Sequence, residues 1–323
     1  MSQAIGDAIL FDRDQIDHLD ALADRPRRLK GSMLLWVDID RGSDGRAAEV
    51  AEAFDLDDET RGYLANPNKR PLFNDHGRYI HVTSYAPQPD EGGGELHAVE
   101  CVVGENWVVT AHDRPIPVLE EFAARVSGSG DTGSLDGPSF LAALLDWVLG
   151  SYTAAFQRIE LRLEEFDVRA MRGQGSEEDI EVLVEMRLEL GTLRRALAAH
   201  RPALVALMHP ELDALSTEAS GERFRSLFTR FESTLQEGRD AREAIVGSFD
   251  VLIASGGHHT NEIMKVLTLA SVILLPGAVL AGVMGMNFKV GFFDYASLFW
   301  VVVAVMATVG VLTLGIAKRQ HWI

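Results

Sequence analysis

Towards the C-terminus a long helical stretch carries small or mildly polar residues at heptad spacing. One line runs Asp250, Gly257, Met264, Ser271, Ala278, Gly285, and a second runs Ala254, Asn261, Thr268, Leu275, Gly282. Asn287 follows directly, in Gly285-Met286-Asn287. Small residues let copies of one helix approach closely inside a membrane. The same stripe suits the lining of a narrow water-filled path, and both readings stand at this level. The path reading has a definite chemistry. A carboxamide accepts hydrogen bonds from the waters around a divalent cation without stripping them, so the ion is held and can still leave.

The elements that must position these residues are two apolar runs, Val266–Met286 and Ala296–Ala317, neither with a charged residue. Each has the length that spans a hydrocarbon core of roughly 30 Å at a rise of about 1.5 Å per residue. Pro276 falls inside the first, where neighbouring helices can satisfy the freed carbonyl. The nine residues 287–295, "NFKVGFFDY", leave room only for a short outer loop, so the other two helix ends share one side. Lys265, Lys318 and Arg319 flank those ends, and the positive-inside bias puts them in the cytoplasm. This predicts a multi-pass protein of a bacterial-type inner membrane with both termini cytoplasmic and lipid as a partner. Two spans cannot enclose a pore. Conduction therefore requires several copies around an axis, which turns one Asn287 into a ring of amides and one Asp250 into a ring of carboxylates.

The stretch "NEIMKVLTLASVILLPGAVLAGVMGMNF" resembles the signature of the CorA-type divalent cation transporters, through Asn261, Met264-Lys265, Leu267-Thr268, Pro276 and Gly285-Met286-Asn287. The order of parts matches as well. The resemblance implies an α+β cytoplasmic domain, long stalk helices and two C-terminal transmembrane helices, in a funnel-shaped homopentamer. It implies metal contact at Gly285, Met286 and Asn287. It implies a pore lined by Asp250, Asn261, Met264, Leu267, Thr268, Ser271, Leu275, Ala278 and Gly282, with Met264 and Leu267 as an apolar constriction. Magnesium carriers of the family usually have an aromatic before the motif and acids in the outer loop. Here Met284 precedes it, and Lys289 offsets Asp294. The resemblance therefore leans towards the ZntB-like branch, with Zn²⁺ as favoured cargo over Mg²⁺, Co²⁺, Ni²⁺ or Cd²⁺, and no tightly bound cofactor. Magnesium/cobalt conduction, or a non-conducting membrane scaffold or sensor, are the alternatives.

The chain has 323 residues and a formal net charge of −18. Residues 1–140 hold 26 acids against 13 bases, so nucleic acid is not an expected partner. A single cysteine, Cys101, rules out an internal disulfide. The first twenty residues lack a basic stretch followed by an apolar one, which predicts no secretory leader. No phosphate-binding loop, dinucleotide fingerprint, nucleophile elbow or HExxH is present, so an enzyme is not expected. With no ATP motif, transport must run on gradients; a divalent ion moving inward at 100 mV gains about 4.6 kcal/mol.

Organisation follows composition. Residues 1–130 read as a cytoplasmic α/β domain. Its strands are expected near Ser32–Asp40, Gly77–Pro87, Glu95–Val103 and Trp107–His112, with one amphipathic helix across "AAEVAEAFDLDDETRGYLAN". The small-residue stretch Ser127–Gly137 is a linker. Residues 138–265 read as a helical stalk domain, 266–286 as the first span, 287–295 as the outer loop, 296–317 as the second span and 318–323 as a cytoplasmic tail. Three further groups invite metal chemistry. His258 and His259 sit below the first span, where imidazole suits zinc but also an ordinary helix crossing. His97 and Cys101 share one strand face, which more often means a buried thiol beside an ordinary histidine. The acids of Ala53–Gly62 suit cation sensing or a plain solvated helix start.

Overall fold

The computed structural model describes residues 8–12, 15–19, 22, 29, 33–41, 46–88, 95–127, 136–171, 177–209, 217–286 and 296–319. They form two compact units, Met1–Phe166 with Ser176–Ser248, and Asp167–Gly175 with Phe249–Ile323.

The first unit is built on a seven-stranded sheet. Its strands are β1 (Ala8–Asp12), β2 (Gln15–Leu19), β3 (Met33–Asp40), β4 (Leu72–Asp75), β5 (Ile80–Pro87), β6 (Leu96–Val103) and β7 (Trp107–His112), in the order β2-β1-β3-β7-β6-β5-β4. Among the described strands only β3 and β7 pair in parallel, Leu35 opposite Trp107 to Asp40 opposite His112. Alternation along β3 sorts its side chains by face. Leu35, Val37 and Ile39 join Val109, Ala111, Val50 and Leu64 in one core, under helices α1 (Arg46–Ala53) and α2 (Asp58–Ala65). Trp36 points the other way. Its ring lies 5.9 Å from Phe122 of α3 (Pro117–Ser127) and 5.4 Å from Phe140 of α4 (Gly137–Met171). The remaining helices are α5 (Glu177–Ala199), α6 (Arg201–Leu207), α7 (Glu218–Met284), which contributes to both units, and α8 (Ala296–Arg319).

Four expected strands are present within a few residues of their expected bounds, and the hairpin β1–β2 and strand β4 are additions. The single helix expected across residues 47–66 is two. The break falls where Asp55 adopts φ 51°, a left-handed conformation that Asp tolerates better than most residues. The Arg78 guanidinium grips both the Asp55 carboxylate and its carbonyl and holds the chain there.

Two buried polar groups of this unit are paired across elements. Glu100 is fully buried and accepts three bonds: from His81 Nε2 at 2.8 Å, Thr83 Oγ1 at 2.6 Å and the Asn68 N–H at 2.7 Å. His200, at the end of α5, accepts a bond from the Tyr85 N–H at 2.9 Å and donates from Nδ1 to the Ala196 carbonyl at 2.8 Å. Nε2 must then be unprotonated, so this histidine is neutral. Burial lowers its pKa from the ordinary 6.5 to about 4, partly opposed by its bonds to the Ala196 and Leu197 backbone.

That depression has a sign. Below pH 6.5 the unfolded chain takes up a proton at this site that the folded chain refuses, so stability falls as pH drops towards 4. The loss from this group is about 1.4 kcal/mol per pH unit. Denaturant titrations between pH 7 and 4.5 are expected to show that slope, and His200→Gln is expected to remove one proton's worth of it. An unchanged slope in the variant would assign the effect to other groups.

Candidate functional site

Three helices carry long apolar stretches, and their burial separates them. α4 is long and apolar enough to cross a membrane, but its apolar part is 61% buried, as a core helix of the first unit. The apolar part of α7 is 0% buried. α8 contributes the apolar helix Phe299–Thr313, with Phe299, Trp300, Val311 and Leu312 all exposed. The sheet-facing stripe of α4 has somewhere to go within its unit; the apolar parts of α7 and α8 are largely exposed, and lipid supplies what protein does not.

The face of α7 turned to α8 can be read directly. An added Cβ on Gly277 would lie 3.0 Å from Met306 Cε. Leu269, Ile273, Pro276, Gly277 and Leu280 are half-buried and fall on one side of the helix, at spacings of three and four. The seam residues do otherwise. Asp250, Asn261, Met264, Leu267, Thr268, Ser271, Leu275, Ala278 and Gly282 are all exposed, as are Gly285 and Met286. At roughly 100° per residue, the seam centres roughly 180° around the helix from the half-buried stripe. An added Cβ at Gly282 meets nothing within 4 Å. One face of α7 thus belongs to α8, and the opposite face carries the small and polar residues.

The hydroxyls on that face are oriented by the helix. Thr268 Oγ1 donates to the Met264 carbonyl at 2.7 Å and Ser271 Oγ to the Leu267 carbonyl at 2.8 Å. Each hydroxyl proton is spent on the backbone, so only oxygen lone pairs face outward. Such a surface accepts hydrogen bonds, which is what a hydrated cation offers. Pro276 has no N–H, which leaves the Val272 carbonyl without its usual donor midway along the stripe.

Asn287 lies outside the described residues, as do the side chains of His258 and His259, within α7. Of the other expected metal positions, Gly285 and Met286 close the end of α7, with their amides bonded to the Ala281 and Val283 carbonyls. Cys101 is fully buried and its thiol is pushed far above its ordinary range by burial, then by Glu100 and Asp38. His97 approaches Glu95 at 3.9 Å instead. Of the acids in residues 53–62, Asp57 meets His76 Nδ1 at 2.7 Å and Asp55 meets Arg78, while Asp58 and Glu59 are exposed. Among the described residues of one chain, no group of three or more His, Cys, Asp or Glu is arranged to hold a metal ion. One functional feature was not legible beforehand. Which face of α7 is free depends on where α8 packs, and the exposed small residues gave no sign of that by themselves.

Comparison with known proteins bears on this arrangement. A family described as CorA-like Mg²⁺ transporter protein matches residues 31–319. The cobalt/magnesium transport protein CorA of Thermotoga maritima is 22% identical over 282 residues, covering 85% of this chain and 79% of that protein. The complete structure of the CorA magnesium transporter from Methanocaldococcus jannaschii aligns over 100% of both chains, with a TM-score of 0.78 and 20% identity. The ZntB cytoplasmic domain from Vibrio parahaemolyticus aligns less closely. It has a TM-score of 0.62 and 13% identity, over 77% of this chain and 98% of that one. The fold is shared along the whole length, membrane helices included.

Proposed function

The chain belongs to the CorA-like Mg²⁺ transporter family, and on that footing we propose that it conducts hydrated divalent cations, Mg²⁺ and Co²⁺ foremost, through a homopentameric ring in the inner membrane. It is a membrane protein of a transporter family, not an enzyme. The observation that carries the reading is the opposition of two faces on α7. The half-buried stripe at Leu269, Ile273, Gly277 and Leu280 turns to α8, and the acceptor-rich seam from Asp250 to Gly282 turns away. A ring with α7 inside and α8 outside uses both faces: the seam meets the axis and α8 meets lipid. Both termini are cytoplasmic in this arrangement, and the outer loop 287–295 follows the Gly285-Met286-Asn287 motif.

Within the ring, Asn287 with Gly285 and Met286 holds the ion's waters at the outer mouth. Ala278, Gly282 and Leu275 leave room for a hydrated ion, Ser271 and Thr268 accept from its waters, and Met264 with Leu267 forms an apolar constriction. Asn261 and Asp250 continue the path inward. Residues 1–130 and 138–265 act as its cytoplasmic portion. The ion is cargo driven by its gradient and by membrane potential.

Mg²⁺ and Co²⁺ are favoured because the relative from Thermotoga maritima is a cobalt/magnesium transport protein. A second reading, Zn²⁺ conduction as in the ZntB-like branch, draws on the outer loop, where Lys289 offsets Asp294. Flux into proteoliposomes separates the two. Mg²⁺ or Co²⁺ entry exceeding Zn²⁺, Ni²⁺ and Cd²⁺ entry, with no dependence on a pH gradient, supports the first. Zn²⁺ entry that rises with a pH gradient supports the second. No flux of any of the five ions leaves only a scaffold.

Gly282 offers a test of the lining. A larger side chain there meets no atom of its own chain. Gly282→Leu is expected to leave the melting temperature and assembly unchanged and to cut flux at least about tenfold, because every copy adds a leucine to one level of the path. Gly277→Leu is the contrast, since its side chain runs into Met306 and is expected to destabilise the α7–α8 hairpin. Wild-type flux through Gly282→Leu would take this residue off the axis.

A further inference from the structure

The most acidic feature of this protein is its overall charge, −18, yet one cleft of the first unit is lined by arginine. The cleft has a volume of about 420 Å³ and lies between α5 and α7. Arg187, Arg194 and Arg195 come from α5, and Arg242 comes from α7. No lining residue is acidic. Elsewhere in this unit several arginines are matched: Arg162 of α4 with Glu189 at 2.9 Å, Arg201 of α6 with Glu232 at 2.6 Å, and Arg230 of α7 with Asp146. In the cleft, among the described residues, Arg187, Arg194 and Arg242 form no ion pair, and Arg195 reaches only the neutral Thr192 hydroxyl at 3.3 Å. The other large cleft, of about 530 Å³, is balanced by contrast, since its Arg230 faces Asp146 and it also holds Glu121.

Arg194 is also held in place. The Arg194 stem crosses Gly238 so closely that a Cβ there would sit 3.0 Å from its Cγ and 2.9 Å from Phe156 Cζ. The stem is pinned while the guanidinium reaches the cleft. Partial burial, then the nearby Arg242 and Arg239, lowers the proton affinity of Arg194. Four like charges have been brought together with no acid in the cleft lining, and an anion bound there relieves their mutual repulsion. Guanidinium forks match phosphate oxygens two at a time, and several converging forks match several phosphates. Leu190 and Ile245 form a buried apolar floor, and Leu188 and Val246 are exposed in the cleft wall, so part of the space suits a non-ionic moiety. The volume falls in the range of small-molecule sites.

We propose that this cleft binds a small phosphate-rich anion of the nucleoside di- or triphosphate class, with its phosphates on Arg187, Arg194, Arg195 and Arg242 and its remainder against Leu188 and Val246. The site does not depend on the ion-path reading, and its test uses no transport. Calorimetric titration of the full-length protein in detergent, with EDTA present, would use ATP, AMP and inorganic triphosphate. ATP and triphosphate are expected to bind saturably, AMP more weakly, and affinity to fall as salt rises. The double variant Arg194→Gln/Arg242→Gln is expected to lose at least about tenfold in affinity with its melting temperature kept. Arg158→Gln, which removes a charge from the other cleft, is expected to change nothing. Absence of saturable binding at low salt, or equal affinity in the double variant, overturns the proposal. So does a double variant that dissociates the assembled protein while anion affinity stays put, because the cleft would then belong to an acidic face of a second copy.

Discussion

Asn287→Ala is expected to abolish divalent cation flux while the protein still assembles in the membrane. The reasoning starts from the ion. Mg²⁺ dehydrates reluctantly and keeps several waters in its protein sites. A site at the outer mouth must therefore bind the waters and not the bare metal, and a carboxamide oxygen does so without a full charge. In the proposed ring the amides at one level act together, and removing one per chain removes the whole set. The expected fall is at least about 100-fold, equivalent to about 2.7 kcal/mol on the barrier to entry. Asn287→Asp completes the test. A ring of carboxylates attracts the ion more strongly and lets it go more slowly, so saturation is expected at lower ion concentration with a lower maximum rate. Dye-reported flux in proteoliposomes measures both, and size-exclusion chromatography checks assembly. Wild-type flux in the alanine variant would remove Asn287 from the ion's route.

Glu100→Ala is expected to be the most damaging single substitution in the first unit. Glu100 and His81 are both completely buried, and the Glu100 carboxylate is the shared acceptor for His81, Thr83 and the Asn68 amide. Deleting it removes no donor. Three donors then face a cavity, and one of them, His81, already has an unpartnered Nδ1. Leaving these three buried donors without an acceptor costs about 1–3 kcal/mol each, so the total is about 3 kcal/mol or more. For a unit of this size that corresponds to a melting temperature lower by about 10 °C. Glu100→Gln keeps an acceptor oxygen and a similar volume, so its loss is expected to be less than half as large. A thermal melt of the full-length protein reads both. A change of under about 2 °C for the alanine variant would mean that water or relaxation satisfies the three donors.

Much of the fold is legible in the residues, and the exceptions have physical causes. β3, β5, β6 and β7 announce themselves because apolar runs bounded by turn residues are a local signal. β2 does not, because it is an edge strand: Asp17 and His18 are exposed, and its polar residues read as loop. The break between α1 and α2 is invisible to periodicity, since the apolar spacing continues across it. It exists because Asp55 turns left-handed and Arg78, from beyond α2, holds it there. The parallel pairing of β3 with β7 joins residues some seventy apart, and nothing in either strand names its partner.

The proposed ion path divides in the same way. The two apolar stretches, the seam and the Gly-Met-Asn motif are local properties of length, hydropathy and spacing, so they can be read from the sequence alone. Branch preference is different in kind. The neutral outer loop pointed to zinc, whereas the likeness over most of the chain favours the magnesium and cobalt carriers. Tertiary structure decided three things. It separated α4 from α7, two helices of comparable apolar length, by giving one a sheet to pack against and the other none. It chose which face of α7 stays open, because α8 covers the side of Gly277 and leaves that of Gly282. It also brought Arg242 beside Arg187, Arg194 and Arg195, charges that lie about fifty residues apart along the chain and become a single site only when two helices pack. Each of these depends on which surfaces meet, and contact between distant surfaces is not encoded in any one stretch of residues.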